Sequence, residues 1–472
     1  MYRIAEIDAR VTHVATRIPF RYGIAEMTQA PHVVVSVLLE TGEGRAWGRA
    51  SEHLPPKWFT KDPDSAFADD VRDMVAVIEH AIAASDGLIG ETAFDLWLRV
   101  QRAQDEWGTA NDVPGLLSGL GAALVERALI DAACRALGLA FPLALSSGAL
   151  GFDPTRIHPE LTDPRLPRPT SRIAVRHTVG LSDALTDAEV VDEPGDGLPV
   201  SLEAVIRRYG VTHFKVKTAG DLDADLPRLE RIVALAGTHG IDPWFTIDGN
   251  ESMRTAEHFT TWAHGLLDRP ALGPLLRERL LAVEQPFHRS IALGPEVGAA
   301  LAEFRGDLAV IVDESDDSVT TVRAAMDLGY AGGTYKGCKG VFRGLANAAL
   351  VHSRGRYGRT VLTAEDLSTL PPLTVGQDLV AASAMGLSHI ERNGHHYFGR
   401  LAPIDPAVGE LALAAHPDAY RRAGDGAVRL RIEGGSIALD SLLAAPFGFA
   451  PDLDVAGLTP LSADAAVAGL AS

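Results

Sequence analysis

Apolar and polar positions follow one pattern in the first third of the chain and another in the middle. The stretches Ile4 to Val14 and His32 to Leu39 alternate as antiparallel strands with one wet face do. Helical spacing comes next: Val71, Val75, Ile78 and Ile82 share a stripe, followed by Phe94 to Val100 and then by Leu120, Leu124, Ala128 and Ala132. Strands followed by helices predict an α+β domain over residues 1–150. Residues 151–171, rich in Pro, Asp and Arg, read as a linker, and from 172 to 400 strands alternate with helices. Within 401–472, Val428–Ile432 and Ser436–Leu439 predict a hairpin joined by Glu433-Gly434-Gly435.

The middle region has a second regularity. Trp244-Phe245-Thr246-Ile247-Asp248, Leu280-Leu281-Ala282-Val283-Glu284 and Leu308-Ala309-Val310-Ile311-Val312-Asp313 are apolar runs ending in a carboxylate. His213-Phe214-Lys215-Val216-Lys217 ends in a base, and Lys336 closes the series. Such runs suit parallel strands covered on both faces. They recur at roughly 23 to 36 residues, the length of one strand-helix unit in an eight-unit barrel, where chemistry sits at the C-terminal rim. A single carboxylate after a strand reads as the N-cap of the next helix; five charged strand ends in register read as a site. Converging carboxylates make an oxygen-rich place for a hard divalent cation, with lysines on either side to move protons.

The order Lys-x-Lys, Asp-Gly-Asn250, Glu-Gln-Pro286, Asp-Glu314, Lys336 resembles the enolase superfamily, and within it the muconate-lactonizing enzyme and mandelate racemase-like group. Ala122–Asp131 looks like its helix leading into the barrel, Arg176–Gly180 like its first strand, and Ala445–Gly448 like its return to the cap. The resemblance implies a modified TIM barrel of the (β/α)7β type, its last helix replaced, under an α+β cap built from residues 1–150 and the tail 401–472. It implies that Asp248, Glu284 and Asp313 bind Mg²⁺, with Mn²⁺ as a substitute. A Lys base beside Mg²⁺ then removes the proton α to a carboxylate, through an enediolate intermediate. Lys217 is the expected base, its ammonium disfavoured by Lys215 and by the cation. Lys336, from the opposite side of the ring, is the second acid/base. Asn250, Arg21, Tyr22, Asp366 and His395 are the expected substrate contacts.

The chain departs from the family pattern after the sixth strand, where it reads Lys336-Gly337-Cys338-Lys339-Gly340. The seventh strand, Val361–Asp366, offers two acids and no histidine, which argues against the His-Asp base of mandelate racemase itself. A cycloisomerase or racemase/epimerase is therefore the first expectation and an acid-sugar dehydratase the second. A non-catalytic binding module on the same fold and a zinc hydrolase are the competitors from other classes, the latter lacking histidines at the strand ends.

The composition agrees with an enzyme. At 472 residues and 46% hydrophobic, the chain exceeds one ordinary domain. A net charge of −19 argues against nucleic acid or an anionic membrane as a partner and says little about the sign of the substrate; the resemblance implies a small-molecule carboxylate as substrate, and a homo-oligomer is the expected assembly. Cys134 and Cys338 are too few for a disulfide framework, and charges at the N-terminus replace the apolar stretch of a signal peptide, so the expected location is cytoplasmic. Specificity is expected from two cap loops, Pro19–Gly23 and Glu52–Phe59, which combine aromatic and cationic groups. The acidic stretch Ser182–Gly197 reads as a lid or as disordered chain, and His395-His396 as a solvated pair unless it meets substrate.

Overall fold

The long strands β1 (Tyr2–Tyr22), β2 (Ala25–Glu40) and β3 (Arg45–His53) form an antiparallel sheet, to which β4 (Ile89–Gly90) adds at the edge of β1. The structure is a computed structural model and describes residues 1–472 except 163, 356–358, 469 and 471–472. β1 and β2 are much longer than the alternating stretches predicted. Pro19–Tyr22 therefore belongs to the end of a hairpin that turns at Gly23, and the register shift between Ala15 and Phe20 bends its tip.

Helices α1 (Phe67–Ser85), α2 (Ala93–Ala110) and α3 (Gly115–Leu137) pack on this sheet. α3 is buried from Leu116 to Cys134, so its charged residues all need partners. Arg127 meets Glu52 at 3.0 Å, Asp131 accepts the Arg49 backbone N–H at 2.9 Å, and Glu126 accepts the N–H groups of Val341 and Phe342 at 2.8 and 2.7 Å. That last contact caps a barrel helix with a cap residue. Gly48 on β3 lies so close to α3 that a Cβ there would fall 2.3 Å from the Ala128 carbonyl oxygen.

Eight parallel strands follow: β5 (Arg172–Val179), β6 (His213–Lys217), β7 (Trp244–Asp248), β8 (Leu280–Glu284), β9 (Val310–Val312), β10 (Gly332–Lys336), β11 (Val361–Glu365) and β12 (His389–Glu391). Ladder pairing runs unbroken from β11 back to β5 and on to β12. β12 lies against β11 without ladder pairs among the described residues, so the barrel is nearly closed. Helices separate successive strands, and only the short helix Gly394–Tyr397 directly follows β12. This is the (β/α)7β plan with its cap.

One expectation about the C-terminal region needs correction. Val428–Leu430 pairs with Tyr420–Arg422, and Ser436–Ala438 pairs with β5, so the predicted hairpin does not form beyond a single Glu433–Ser436 bridge. The reason is a vacant edge: β6 joins β5 only from Arg176 onward, leaving residues 172–174 free for another strand. Farther on, Thr459–Pro460 pairs with β1 and the helix Ala463–Val467 packs on α1. The stretch 182–197 is tied to β1 of the cap by Arg17, which binds Asp196 at 2.9 Å and the Leu198 carbonyl at 3.1 Å. No helix among the described residues is long and apolar enough to cross a membrane.

Gly48→Ala should cost about 1–3 kcal/mol through overpacking, read as a lower thermal midpoint, whereas Gly42→Ala, with open space around it, should leave the midpoint unchanged. A second expectation concerns pH. Burial, with Arg127 nearby, pushes His32 down to about 3. An unfolded histidine takes a proton near pH 6.5, so the contribution of His32 is fully present above that pH and is lost progressively between about 6.5 and 3. The slope of thermal midpoint against pH should flatten over this window in His32→Asn, and an unaltered slope would exclude His32 as the titrating group.

Candidate active site

Strand register sets the site. Lys217, Asp248 and Glu284 stand level across β6, β7 and β8, and Lys336 stands level with Glu365 across β10 and β11. Strand alternation puts Lys215 on the same face as Lys217, one layer deeper. Its ammonium lies 2.9 Å from Asp248, 2.8 Å from Glu284, 2.5 Å from Glu365 and 3.2 Å from Glu391. Burial works against this charge, but the four carboxylates overcome it and hold Lys215 well above the usual lysine range. Lys215 is thus a buried counter-ion to four carboxylates.

Lys217 donates to Asp248 Oδ2 at 2.6 Å and lines the mouth. Lys336 stands on the other side of the ring, 3.1 Å from Asp313 and 2.7 Å from Glu365, with the Trp58 ring 5.1 Å from its Nζ. Asp313, not Glu314, faces this cluster: Lys339 binds its Oδ1 at 2.7 Å. Burial opposes the ionised form of Asp313, yet Lys336 and Lys339 keep it below the usual carboxylate range. Asp248 is likewise depressed against burial, by Lys215 and Lys217. Glu284 goes the other way, raised by burial and by Glu365, and its Oε2 is shielded from water with no hydrogen-bond partner.

Oxygens of Glu284, Asp313 and Glu365 lie within 4.8 Å of one another, a grouping suited to a hard cation. Asp248 is separated from Glu284 by the Lys215 ammonium. Glu365, however, already holds three cations, Arg176 at 2.7 Å beside Lys215 and Lys336, and neither it nor Glu284 lines the mouth. Asp248 and Asp313 do line it. The orphaned Glu284 oxygen and this all-carboxylate donor set fit the cation expected from the sequence.

The mouth is a cavity walled by barrel residues below and by Phe20, Tyr22, Pro55 and Trp58 of the cap above. Both predicted cap loops therefore reach it. Tyr22 is fixed by a 2.8 Å bond to the Pro56 carbonyl, and Asn250 lies on the wall, its backbone N–H 2.8 Å from Asp248 Oδ1. Asp366 is also on the wall, pushed up to about 7 by burial against the pull of Arg392. Arg21 lies farther out, paired with Glu26 at 2.6 Å in an open groove that Ser182 and Asp183 also line. His395 does not reach either cavity. The helix Gly394–Tyr397 carries it to the outside of β5, where its ring packs on His177 and Tyr209, so neither it nor the buried His396 is a solvated loop residue.

A clasp ties cap to rim. Arg289 donates to the Phe59 carbonyl at 2.8 Å and to Glu251 at 2.7 Å, and Lys61 binds Glu251 at 2.9 Å and the Asn250 carbonyl at 2.8 Å. Glu391, Lys339 and Arg176 were missed as parts of the cluster, although Glu365 and Glu391 end their strands just as Asp248 and Glu284 do.

No family model matches the chain, and no curated protein does either. Solved structures do. A mandelate racemase/muconate lactonizing protein from Herpetosiphon aurantiacus is 18% identical over 96% of this chain and 98% of its own, with a TM-score of 0.61. An enolase from Bradyrhizobium, complexed with magnesium and mandelic acid, is 15% identical over 96% and 97%, with a TM-score of 0.58. N-succinyl Arg/Lys racemase from Bacillus cereus ATCC 14579 is 16% identical over 93% and 97%, with a TM-score of 0.58. The chain has the fold of the mandelate racemase and muconate lactonizing group of the enolase superfamily.

Proposed function

We propose that the protein is an enzyme that removes the proton α to a carboxylate, with a divalent cation, Mg²⁺ or in its place Mn²⁺, at the mouth. The observation that carries this reading is the placement of two lysines, Lys217 and Lys336, on opposite sides of one buried carboxylate cluster and in the wall of one cavity. Asp248, Glu284 and Asp313 would hold the cation. Bound there, it offsets the second negative charge that develops when the proton leaves a carbon next to a carboxylate.

The residues of the chain supply the rest. Lys217 takes the proton from one face of the carbon, for which its pairing with Asp248 must first be exchanged for the cation. Lys336 stands at the opposite face, where it returns a proton or holds the charge. Lys215 stays charged beneath them and keeps the carboxylate layer from repelling itself. Trp58 and Tyr22 close the cavity from above and keep water out. Opposed bases suit racemisation, epimerisation or cycloisomerisation, and the racemase and the magnesium complex among the solved structures agree in kind.

Exchange of an α-proton in deuterated water tests this, with N-acyl amino acids, dipeptides, mandelate and acid sugars as the panel. Lys217→Ala should abolish exchange from one stereoisomer by at least about a hundredfold, and Lys336→Ala from the other. Exchange that survives both substitutions would reject the assignment of the bases. Calorimetric Mg²⁺ affinity should fall at least tenfold in Asp248→Asn and in Glu284→Gln and hold in Lys217→Ala. A larger loss in Glu365→Gln than in Asp248→Asn would move the third ligand to β11.

A further inference from the structure

A second, narrow cavity lies on the outside of the barrel among the helix Leu202–Tyr209, the segment 369–375, the helix Gly394–Tyr397 and the strands Tyr420–Arg422 and Val428–Leu430. Arg208, Arg392, Arg400, Arg421 and Arg429 line it, and among the described residues no carboxylate does. In a chain of net charge −19 such a wall is a local inversion of sign. None of these arginines lines the mouth.

Two of the five are neutralised from behind. Arg392 binds Asp366 at 2.9 Å and Asp378 at 3.2 Å, and Arg429 binds Asp425 at 2.5 Å and the Gly399 carbonyl at 2.7 Å. Among the described residues Arg400 reaches only the Ala15 carbonyl, at 3.1 Å. The side chains of Arg208 and Arg421 have no hydrogen bond or ion pair among the described residues, and Arg421 Nε is shielded from water as well as unpartnered. Both ring nitrogens of His395 are in the same condition. The carboxylates of Glu433 and Asp196 act on Arg421 and Arg429 only from outside the wall. Buried donors without acceptors are rare in folded proteins and call for one, and planar guanidinium forks match the oxygens of phosphate and carboxylate groups.

We infer that this cavity is a second binding site, taking a small oxyanion that carries two or more negative charges on phosphate or carboxylate groups. Arg421 and Arg208 supply the free charge and His395 a further donor, while Arg392 and Arg429, held by their carboxylates, fix the shape of the floor. The site is independent of the reaction proposed above.

Calorimetry on the full chain tests this, with inorganic phosphate and with citrate titrated at constant ionic strength held by chloride. Saturable binding is expected, weakened at least tenfold in Arg421→Gln and in Arg208→Gln and unchanged in Lys217→Ala, which places it away from the mouth. The stronger of the two ions tells phosphate chemistry from carboxylate chemistry. Arg208 is exposed, so Arg208→Gln keeps the test open if Arg421→Gln fails to fold by circular dichroism. Absence of saturable binding for both ions, binding unaltered in Arg208→Gln, or binding lost in Lys217→Ala would each overturn the inference.

Discussion

One ammonium group at the centre of the barrel constrains everything around it. Lys215 sits among Asp248, Glu284, Glu365 and Glu391, four acids delivered by four different strands. Charges removed from water are tolerated only when paired and hydrogen-bonded. Neither the acids nor the lysine would be stable there alone. Their mutual dependence explains why charged residues end strand after strand where a barrel interior is ordinarily filled by apolar layers. It also leaves the upper layer, Lys217, Asp313 and Lys336, with defined partners at the floor of the mouth.

The cap is joined to this floor by polar contacts as much as by apolar packing. Glu126 terminates the helix that follows β10, Arg127 answers Glu52 at the end of β3, and Arg289 with Lys61 fastens the Trp58–Phe59 backbone to Glu251. Glu251 and Asn250 both adopt positive φ, 64° and 44°. Two such residues in succession are strained, and the clasp on Glu251 and on the Asn250 carbonyl is what holds them. The wall that would contact a substrate is therefore positioned by the same groups that hold the cap down.

Much of this was legible in the chain, because the signals were local. Apolar runs with charged ends marked β6, β7 and β8, and periodicity marked α1 and α3. The carboxylate cluster could be read only in part. Glu365 was visible as a strand-ending acid, but which acid lies nearest Glu284 and Asp313 depends on barrel register, which is not local. The four partners of Lys215 were out of reach for the same reason: they come from other strands. The tail shows the limit most plainly, since Ser436–Ala438 reads as half of a hairpin until the unpaired edge of β5 is seen. His395 was placed by proximity to β12, whereas a four-residue helix turns it away from the mouth.

The pairing of Thr459–Pro460 with β1 has a consequence for biosynthesis. Arg10 and Val11 leave the ribosome early, and their partners emerge only after all eight barrel strands. During that interval the outer margin of β1 near these residues has unsatisfied amide and carbonyl groups, a template on which nascent chains of neighbouring polysomes can dock. Sealing it is among the last acts of synthesis, so a chain released before residue 459 would carry an adhesive border through its lifetime in the cell.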